Sequence, residues 1–261
     1  MGVLNVTPDS FYAGSRVPDA GSAVAAGLRA VEEGADILDI GGESTRPGSD
    51  PISADEELAR VIPVICALRE KFGIPISIDT VKSAVAREAL AAGANLVNDI
   101  SGLQGDPEMP ALLAETRAPV VIQHIRGTPK TMQNNPEYDD LLREVSDFFA
   151  QKLEVLCSTG YPNDRTILDP GIGFGKQFVH NLTLLNNIHR FRGLGRPVLV
   201  GPSRKSFIGH FLGGLPPEER LEGTLVSCIF AYLSGAHFFR VHDVKAARRA
   251  LTLARAFLSA P

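Results

Sequence analysis

Tryptophan is absent from the 261-residue sequence, and cysteine occurs only as Cys66, Cys157 and Cys228. Odd in number, far apart and without a Cys-x-x-Cys pair, these cysteines offer neither a disulfide framework nor a zinc site. No apolar run approaches the ~18 residues that a membrane span needs; the longest, Leu225 to Leu233, is interrupted by Ser227. There is no block of basic residues interleaved with aromatics, the pattern of a single-strand nucleic-acid groove. Lys and Arg number 26 against 30 Asp and Glu, a net charge of −4, too near neutral to coat nucleic acid or anionic membrane. Neither partner is expected, and any basic site must be local. No basic residue precedes Arg16 and no apolar core of signal-peptide length opens the chain, so the expected location is cytoplasmic.

What is present is a regular alternation. Short β-rich apolar runs occur at Gly2 to Val6, Asp36 to Ile40, Pro75 to Ile78, Leu96 to Val97, Pro119 to Ile122, Thr166 to Leu168, Pro197 to Val200 and Phe238 to Val241. Amphipathic helical patterns lie between them, at Ala20 to Glu33, Ala54 to Lys71, Val81 to Ala92, Tyr138 to Ser158, Glu218 to Ser234 and Val244 to Leu258. Three of these end in Gly-Ala (Gly34-Ala35, Gly93-Ala94, Gly235-Ala236), a helix-stop signal that makes a weak βα repeat. No linker separates two compositions, so one domain over residues 1–261 is expected. Eight βα units of about 33 residues each suit a closed (β/α)8 barrel, with a doubly wound sheet as the alternative. The helix over Leu221 to Leu233 is apolar around most of its circumference, more than an outer barrel helix needs, which suggests burial under the last helix or against a second subunit.

In such barrels the chemistry sits where strands end. Polar residues close every run: Asn5; Asp39 with Gly41-Gly42-Glu43; Asp79; Asn98 with Asp99; Gln123 with His124; Asp169; Ser203-Arg204-Lys205; and Arg240 with His242 and Asp243. One such Asp is as often a helix cap as a catalyst, but eight polar endings out of eight point to a ligand. Carboxylates and amides dominate the earlier strand ends and cations the last two, where barrels often bind phosphate. Arg46, in Ser44-Thr45-Arg46-Pro47-Gly48, could join that group as an anion clamp. The acidic and amide group suits a planar, nitrogen-rich ring, because carboxylates accept paired N–H donors and Asn both donates and accepts. No residues have dedicated metal-site spacing; Asn5 suits a Mg²⁺ held mainly by phosphate and water. The Gly-rich segments Gly41 to Ser44 and Asp169 to Lys176 match neither a dinucleotide fingerprint nor a P-loop.

Eight blocks taken together resemble the dihydropteroate synthase family along nearly the whole chain: Asn5 to Phe11, Asp39 to Gly48, Ser77 to Thr80, Val97 to Ser101, Arg126 to Pro129, Leu168 to Lys176, Ser203 to Ser206 and Arg240 to Asp243. The resemblance implies a barrel enzyme that joins 6-hydroxymethyl-7,8-dihydropterin diphosphate to p-aminobenzoate, releasing diphosphate and forming 7,8-dihydropteroate, with Mg²⁺ as cofactor, as a homodimer. It implies that Asp79, Asn98, Asp169 and Lys205 hold the pterin, and that Thr45, Arg46, Arg240 and His242 hold the diphosphate. Asn5 would ligate Mg²⁺, and Phe11, Pro47, Phe174, Arg204 and Ser206 would line the p-aminobenzoate pocket. Asp79, Lys205, Arg240 and His242 would carry the chemistry, and His124 is read as structural ahead of proton acceptor. Loops Thr7 to Asp19 and Ser44 to Ser53 are expected to act as lids. One departure, Tyr12-Ala13-Gly14-Ser15 in place of Ser-Asp-Gly-Gly, removes a loop carboxylate. Alternatives are a corrinoid-linked pterin methyltransferase, which needs no diphosphate cluster, a non-catalytic pterin binder, and an unrelated phosphate-binding barrel isomerase.

Overall fold

The computed structural model describes residues 1–7, 20–46 and 48–260. Its strands are β1 (Gly2–Asn5), β2 (Leu38–Gly41), β3 (Ile76–Asp79), β4 (Leu96–Asp99), β5 (Val120–Gln123), β6 (Thr166–Asp169), β7 (Leu199–Val200) and β8 (Phe238–Phe239). The first six pair in sequence order into one parallel sheet, and β7 pairs with β8. Parallel bridges Leu168 to Val198 and Gly2 to Val241 join the two groups at both ends. Hydrogen bonds from Leu168 N–H to the Pro197 carbonyl and from Val3 N–H to the Val241 carbonyl, both 3.0 Å, complete the ring. This is the (β/α)8 barrel; a doubly wound sheet would leave β1 without its β8 neighbour.

The outer helices are α1 (Ala20–Glu32), α2 (Ala54–Arg69), α3 (Ser83–Ala91), α4 (Met109–Thr116), α5 (Leu141–Ser158), α6 (Phe178–Asn186), α7 (Ile188–Arg192), α8 (Ser206–Phe211), α9 (Leu221–Leu233) and α10 (Val244–Ser259). The sequence pattern does not disclose α4, α6, α7 and α8, because pieces of two turns or so are too short to display a 3.6-residue period. The three Gly-Ala stops behave alike: Gly34, Gly93 and Gly235 take φ of 96°, 111° and 100°. In each, the following alanine N–H reaches back to a carbonyl five residues earlier (Ala30, Ala89, Ala231) at 2.9 Å, the Schellman closure that turns the chain into the next strand. Among the described residues no helix is long and apolar enough to cross a membrane.

Side-chain alternation in the strands divides the interior in two. Leu38, Ile40, Ile76, Ile78, Val97, Val120 and Ile122 face outward onto Val61, Ile65, Leu68, Val85 and Leu112 of the helices. Leu168 and Val200 do the same against Phe149, Leu184, Phe191 and Ala231. Burying each such side chain stabilises the fold by roughly 1.5–3 kcal/mol. The inward set begins with an apolar plug of Leu96, Val121, Ile167 and Leu199, packed by Met1, Ile37 and Phe238. One step further along β3, β4, β5 and β6 the inward residues are Asp79, Asn98, Gln123 and Asp169. The strands run one or two residues past the apolar runs for this reason: these last residues keep the ladder while turning polar side chains into the barrel mouth.

Gly93→Ala is expected to destabilise the protein by about 1 kcal/mol, because alanine resists the left-handed conformation at this helix stop. Urea denaturation reads the change, and an unaltered midpoint would contradict the assigned role.

Candidate active site

The polar mouth is organised around Arg240, which follows β8. Its Nε donates to Asp39 Oδ2 at 2.5 Å and its Nη2 donates to Asp79 Oδ2 at 2.7 Å. Asp39 is fully buried and pairs in register with Ser77, two residues below Asp79, so the guanidinium reaches both down and across the barrel. Asn98 Nδ2 also donates to Asp39 Oδ2, at 3.2 Å. The sequence places carboxylates on early strands and cations on late ones, but that separation does not survive in space, since ring closure sets the end of β8 beside β1, one strand from β2. Four buried atoms in these layers, Asp39 Oδ1, Ser77 Oγ, Asp79 Oδ1 and Asn98 Oδ1, have no hydrogen-bond partner among the described residues. Buried polar atoms are rarely left unpaired, so a cluster of them marks a place where a ligand's N–H or O–H groups are accepted.

Asp169, the last residue of β6, accepts from Gly171 N–H at 2.8 Å through Oδ1. Gly171 has φ 71°, and a Cβ there would lie 1.9 Å from the His124 carbonyl oxygen, so only glycine lets this loop pass under the end of β5. Beyond it, the Phe174 ring lies 4.1 Å from Lys205 Nζ. Lys176 is buried and places its Nζ 2.9 Å from both His124 Nδ1 and the Phe174 carbonyl. With Nδ1 accepting from an ammonium, His124 is held neutral; burial and Lys176 push its pKa down to about 2. The structural reading of His124 therefore stands over that of a proton acceptor.

Ser203 Oγ accepts from the His242 backbone N–H at 3.2 Å and lies 3.0 Å from His242 Nδ1. Burial, then the cations of Arg240 and Arg204, lower His242 to about 4, so its ring is neutral near pH 7 and offers one N–H. Arg204, at φ 56°, departs from the expected anion cluster: its guanidinium holds both oxygens of Asp243, at 2.8 and 2.6 Å. Asp99 is also outside the mouth, because it alternates with Asn98; it accepts from Ser101 N–H, Ser101 Oγ and Leu103 N–H and so pins the loop after β4.

Thr45 lines a small crevice together with Asp79, Glu43, Glu57 and Lys82. Lys82 bonds to both glutamates, Glu57 at 2.6 Å and Glu43 more closely, tying the base of the Thr45 loop to α2 and to the turn after Asp79. This triad, of which only Glu57 is fully buried, was not legible in the sequence, whose only sign of it is Glu43 within the Gly-Gly-Glu turn. Arg46 and Ser206 are exposed, Arg46 on its loop and Ser206 at the start of α8. Phe11, Pro47 and the Tyr12 to Ser15 departure lie outside the described residues. Asn5 ends β1, paired in register with Gly41, and its side-chain amide has no partner among the described residues. No group of three or more His, Cys, Asp or Glu among them could hold a metal. A lone amide oxygen is a donor that would fit Mg²⁺ carried largely by phosphate and water. A groove of about 510 Å³ opens at the opposite end, lined by Met1, Phe238 and Leu251 and by none of the mouth residues.

This geometry has known counterparts. The model of the pterin binding enzyme family matches residues 1–242, and the chain belongs to that family. A dihydropteroate synthase of Synechocystis sp. is 49% identical over 94% of this chain and 85% of that protein. The structure of Xanthomonas albilineans dihydropteroate synthase with 4-aminobenzoic acid superimposes with a TM-score of 0.94, at 44% identity, covering 100% of this chain and 93% of that one. The same enzyme in complex with 7,8-dihydropteroate gives 0.90 at 42% identity, with the same coverage. Within the pterin-binding enzymes, the chain stands among the dihydropteroate synthases.

Burial raises the Asp79 carboxyl to about 7 against the pull of Arg240, with Asp39 and Glu57 adding repulsion. Its ordinary value is ~3.9, so between about pH 4 and 7 the folded state holds a proton that the unfolded chain has released. The stability gained from this group is complete below about pH 4 and is lost as pH rises through about 7. Denaturation of wild type and Asp79→Asn across pH 4 to 8 should therefore show the wild-type advantage shrinking as pH rises, and a constant difference would contradict the assignment.

Proposed function

We propose that the protein forms 7,8-dihydropteroate from 6-hydroxymethyl-7,8-dihydropterin diphosphate and p-aminobenzoate, acting as one catalytic domain over its length. The observation that carries this reading is the set of unpartnered buried acceptors, Asp79 Oδ1 and Asn98 Oδ1, at the mouth of the barrel beside Asp169 and Lys205. These match the N–H edge of an aminopyrimidine ring. In this reading Asp79, Asn98, Asp169 and Lys205 hold the pterin, while Thr45, Arg46, Arg240 and His242 bind the diphosphate. Phe174, Arg204 and Ser206, with Phe11 and Pro47, receive p-aminobenzoate. The sulfonamide complex of the Yersinia pestis enzyme supports the same pocket as a sulfonamide target. The reaction site is in a barrel of family type with no membrane-crossing helix among the described residues, in keeping with an enzyme of the cytoplasm.

The bond from the pterin methylene to the diphosphate oxygen breaks, and a bond from that carbon to the amine nitrogen forms. The electron pair of the broken bond leaves on diphosphate, and the amine loses one proton to solvent or to the leaving group. Arg240, Arg46 and neutral His242 offer hydrogen bonds where negative charge grows on the leaving oxygens. Asp79, beside the ring, tempers positive charge on the methylene, so bond breaking leads bond making. The aromatic amine is nucleophilic when neutral, and no strong base is required. Asn5 would help to hold Mg²⁺, whose positive charge would offset the negative charge of the departing diphosphate.

A homodimer is proposed on the exposed apolar face of α9 and α10. Val226, Phe230 and Leu233 share one side of α9 at helical spacing and are 54%, 53% and 56% exposed, beside exposed Leu253 and Phe257 of α10. A stripe of this kind marks an interaction surface. Of the two readings of this helix, α10 packs beside it and still leaves the stripe uncovered.

Diphosphate release from the pterin diphosphate with Mg²⁺ is expected to depend on p-aminobenzoate and to fall by roughly 10²-fold or more in Lys205→Ala. Release without the amine, or none despite pterin binding, would sink the proposed reaction. Sedimentation at micromolar concentration should give a dimer mass for wild type and a monomer mass for Phe230→Glu. A monomeric wild type would overturn the proposed interface.

A further inference from the structure

Phe174 is an unusually placed aromatic residue. It lies between Gly173 and Gly175, both with positive φ (82° and 61°). Its ring lies 4.1 Å from Lys205 Nζ. Hydrogen bonds hold the backbone there on several sides: Phe174 N–H donates to the Gly171 carbonyl at 3.0 Å, Gln133 Nε2 to the Gly173 carbonyl and Tyr138 Oη to the Gly175 carbonyl, each at 2.7 Å, while the Phe174 carbonyl itself is held by Lys176. Lys176 is 3% exposed, and its ammonium has two hydrogen-bond acceptors, the Phe174 carbonyl and His124 Nδ1, both at 2.9 Å, and lies over the face of Tyr138, whose centroid is 5.6 Å away. His124 is itself anchored to the barrel, its N–H donating to the Asp169 carbonyl at 2.8 Å. A buried ammonium costs free energy unless it is fully hydrogen-bonded, and here its bonds join the Phe174 peptide to the end of β5. Lys176 contributes no atom to the mouth itself and is not needed by the mechanism.

We propose that Lys176 is a positioning residue for the second substrate: by clamping the Phe174 carbonyl to the His124 ring, it holds the Phe174 side chain beneath Lys205, where p-aminobenzoate stacks. The inference rests on the proposed function and on the place of Phe174 in the p-aminobenzoate pocket. Loss of the clamp leaves the Phe174 carbonyl without its partner at the end of β5, so the Phe174–Gly175 peptide tilts within its remaining bonds and the Phe174 ring no longer presents one face to the incoming amine. Pterin binding depends on Asp79, Asn98 and Asp169, to which Lys176 makes no hydrogen bond; its charge acts on Asp169 only through space, so pterin binding changes less.

Steady-state kinetics on the full chain test this. Lys176→Met should raise KM for p-aminobenzoate about tenfold or more while KM for the pterin diphosphate moves less than twofold. Combined with Phe174→Leu, it should add little to the KM of that single variant, since both act through one ring. Equal rises in both KM values, or effects of the two substitutions that multiply, would overturn the inference and leave Lys176 a general core residue. If Lys176→Met does not fold, Lys176→Gln, which keeps a donor for the Phe174 carbonyl, should show a smaller rise in KM for p-aminobenzoate; no rise would overturn the inference. Failure of the underlying reading has a different signature. A wild type that makes no dihydropteroate would overturn the proposed function, and Phe174→Leu with unchanged KM for p-aminobenzoate would overturn the pocket, each taking the inference with it.

Discussion

Arg240 holds two carboxylates, Asp39 and Asp79, inside the mouth of a closed barrel, and most of the site depends on that contact. Three charges taken from water cost several kcal/mol each, and breaking one partner out of such a group costs about 3–5 kcal/mol. The contact is tolerable because the guanidinium places separate N–H groups on each acid, at 2.5 and 2.7 Å, while Asn98 adds a third bond to Asp39. One negative charge still remains in excess of the arginine. That excess, together with burial, is why Asp79 stands at about 7, and it leaves the acid able to accept from a ligand.

The same strands that build the core also build the site, because alternate residues serve different neighbours. Outward residues of β2 to β6 are almost all Leu, Ile or Val, and meet helices that would not pack otherwise. Inward residues pass from an apolar plug of Leu96, Val121, Ile167 and Leu199 to Asn98, Gln123 and Asp169 within two positions. The plug closes one end against water, so the polar layer above it works in a medium where each hydrogen bond counts for more than in bulk. Rigid strand ends hold Asp79, Asn98 and Asp169, and loops carry Thr45, Arg46, Phe174 and Arg204.

Much of this was legible in the sequence. The strand runs, the long helices and the Gly-Ala stops follow from local periodicity and turn chemistry, and the eight polar strand ends named Asp79, Asn98, Asp169, Lys205 and Arg240 before any coordinates. The short helices over Met109–Thr116, Phe178–Asn186 and Ser206–Phe211 were hidden because too few turns show no period. Asp99 was grouped with Asn98 by adjacency, although neighbours on a strand face opposite ways, and its three bonds go to the loop behind the barrel. Arg204 reads as a free cation in the sequence and is held by Asp243 through two bonds in space.

By itself the sequence determined the alternating elements, the composition of each face and the family of motifs, since all of these rest on interactions between residues near one another along the chain. Tertiary structure alone decided which charges meet. Arg240 and Asp39 are 201 positions apart, and Lys176 and His124 are 52 apart; each pair forms only because the sheet closes and the loops fold across the same rim. A carboxylate and a cation far apart in sequence carry no mark of each other, and their pairing is fixed by where the barrel's curvature brings the two strand ends together.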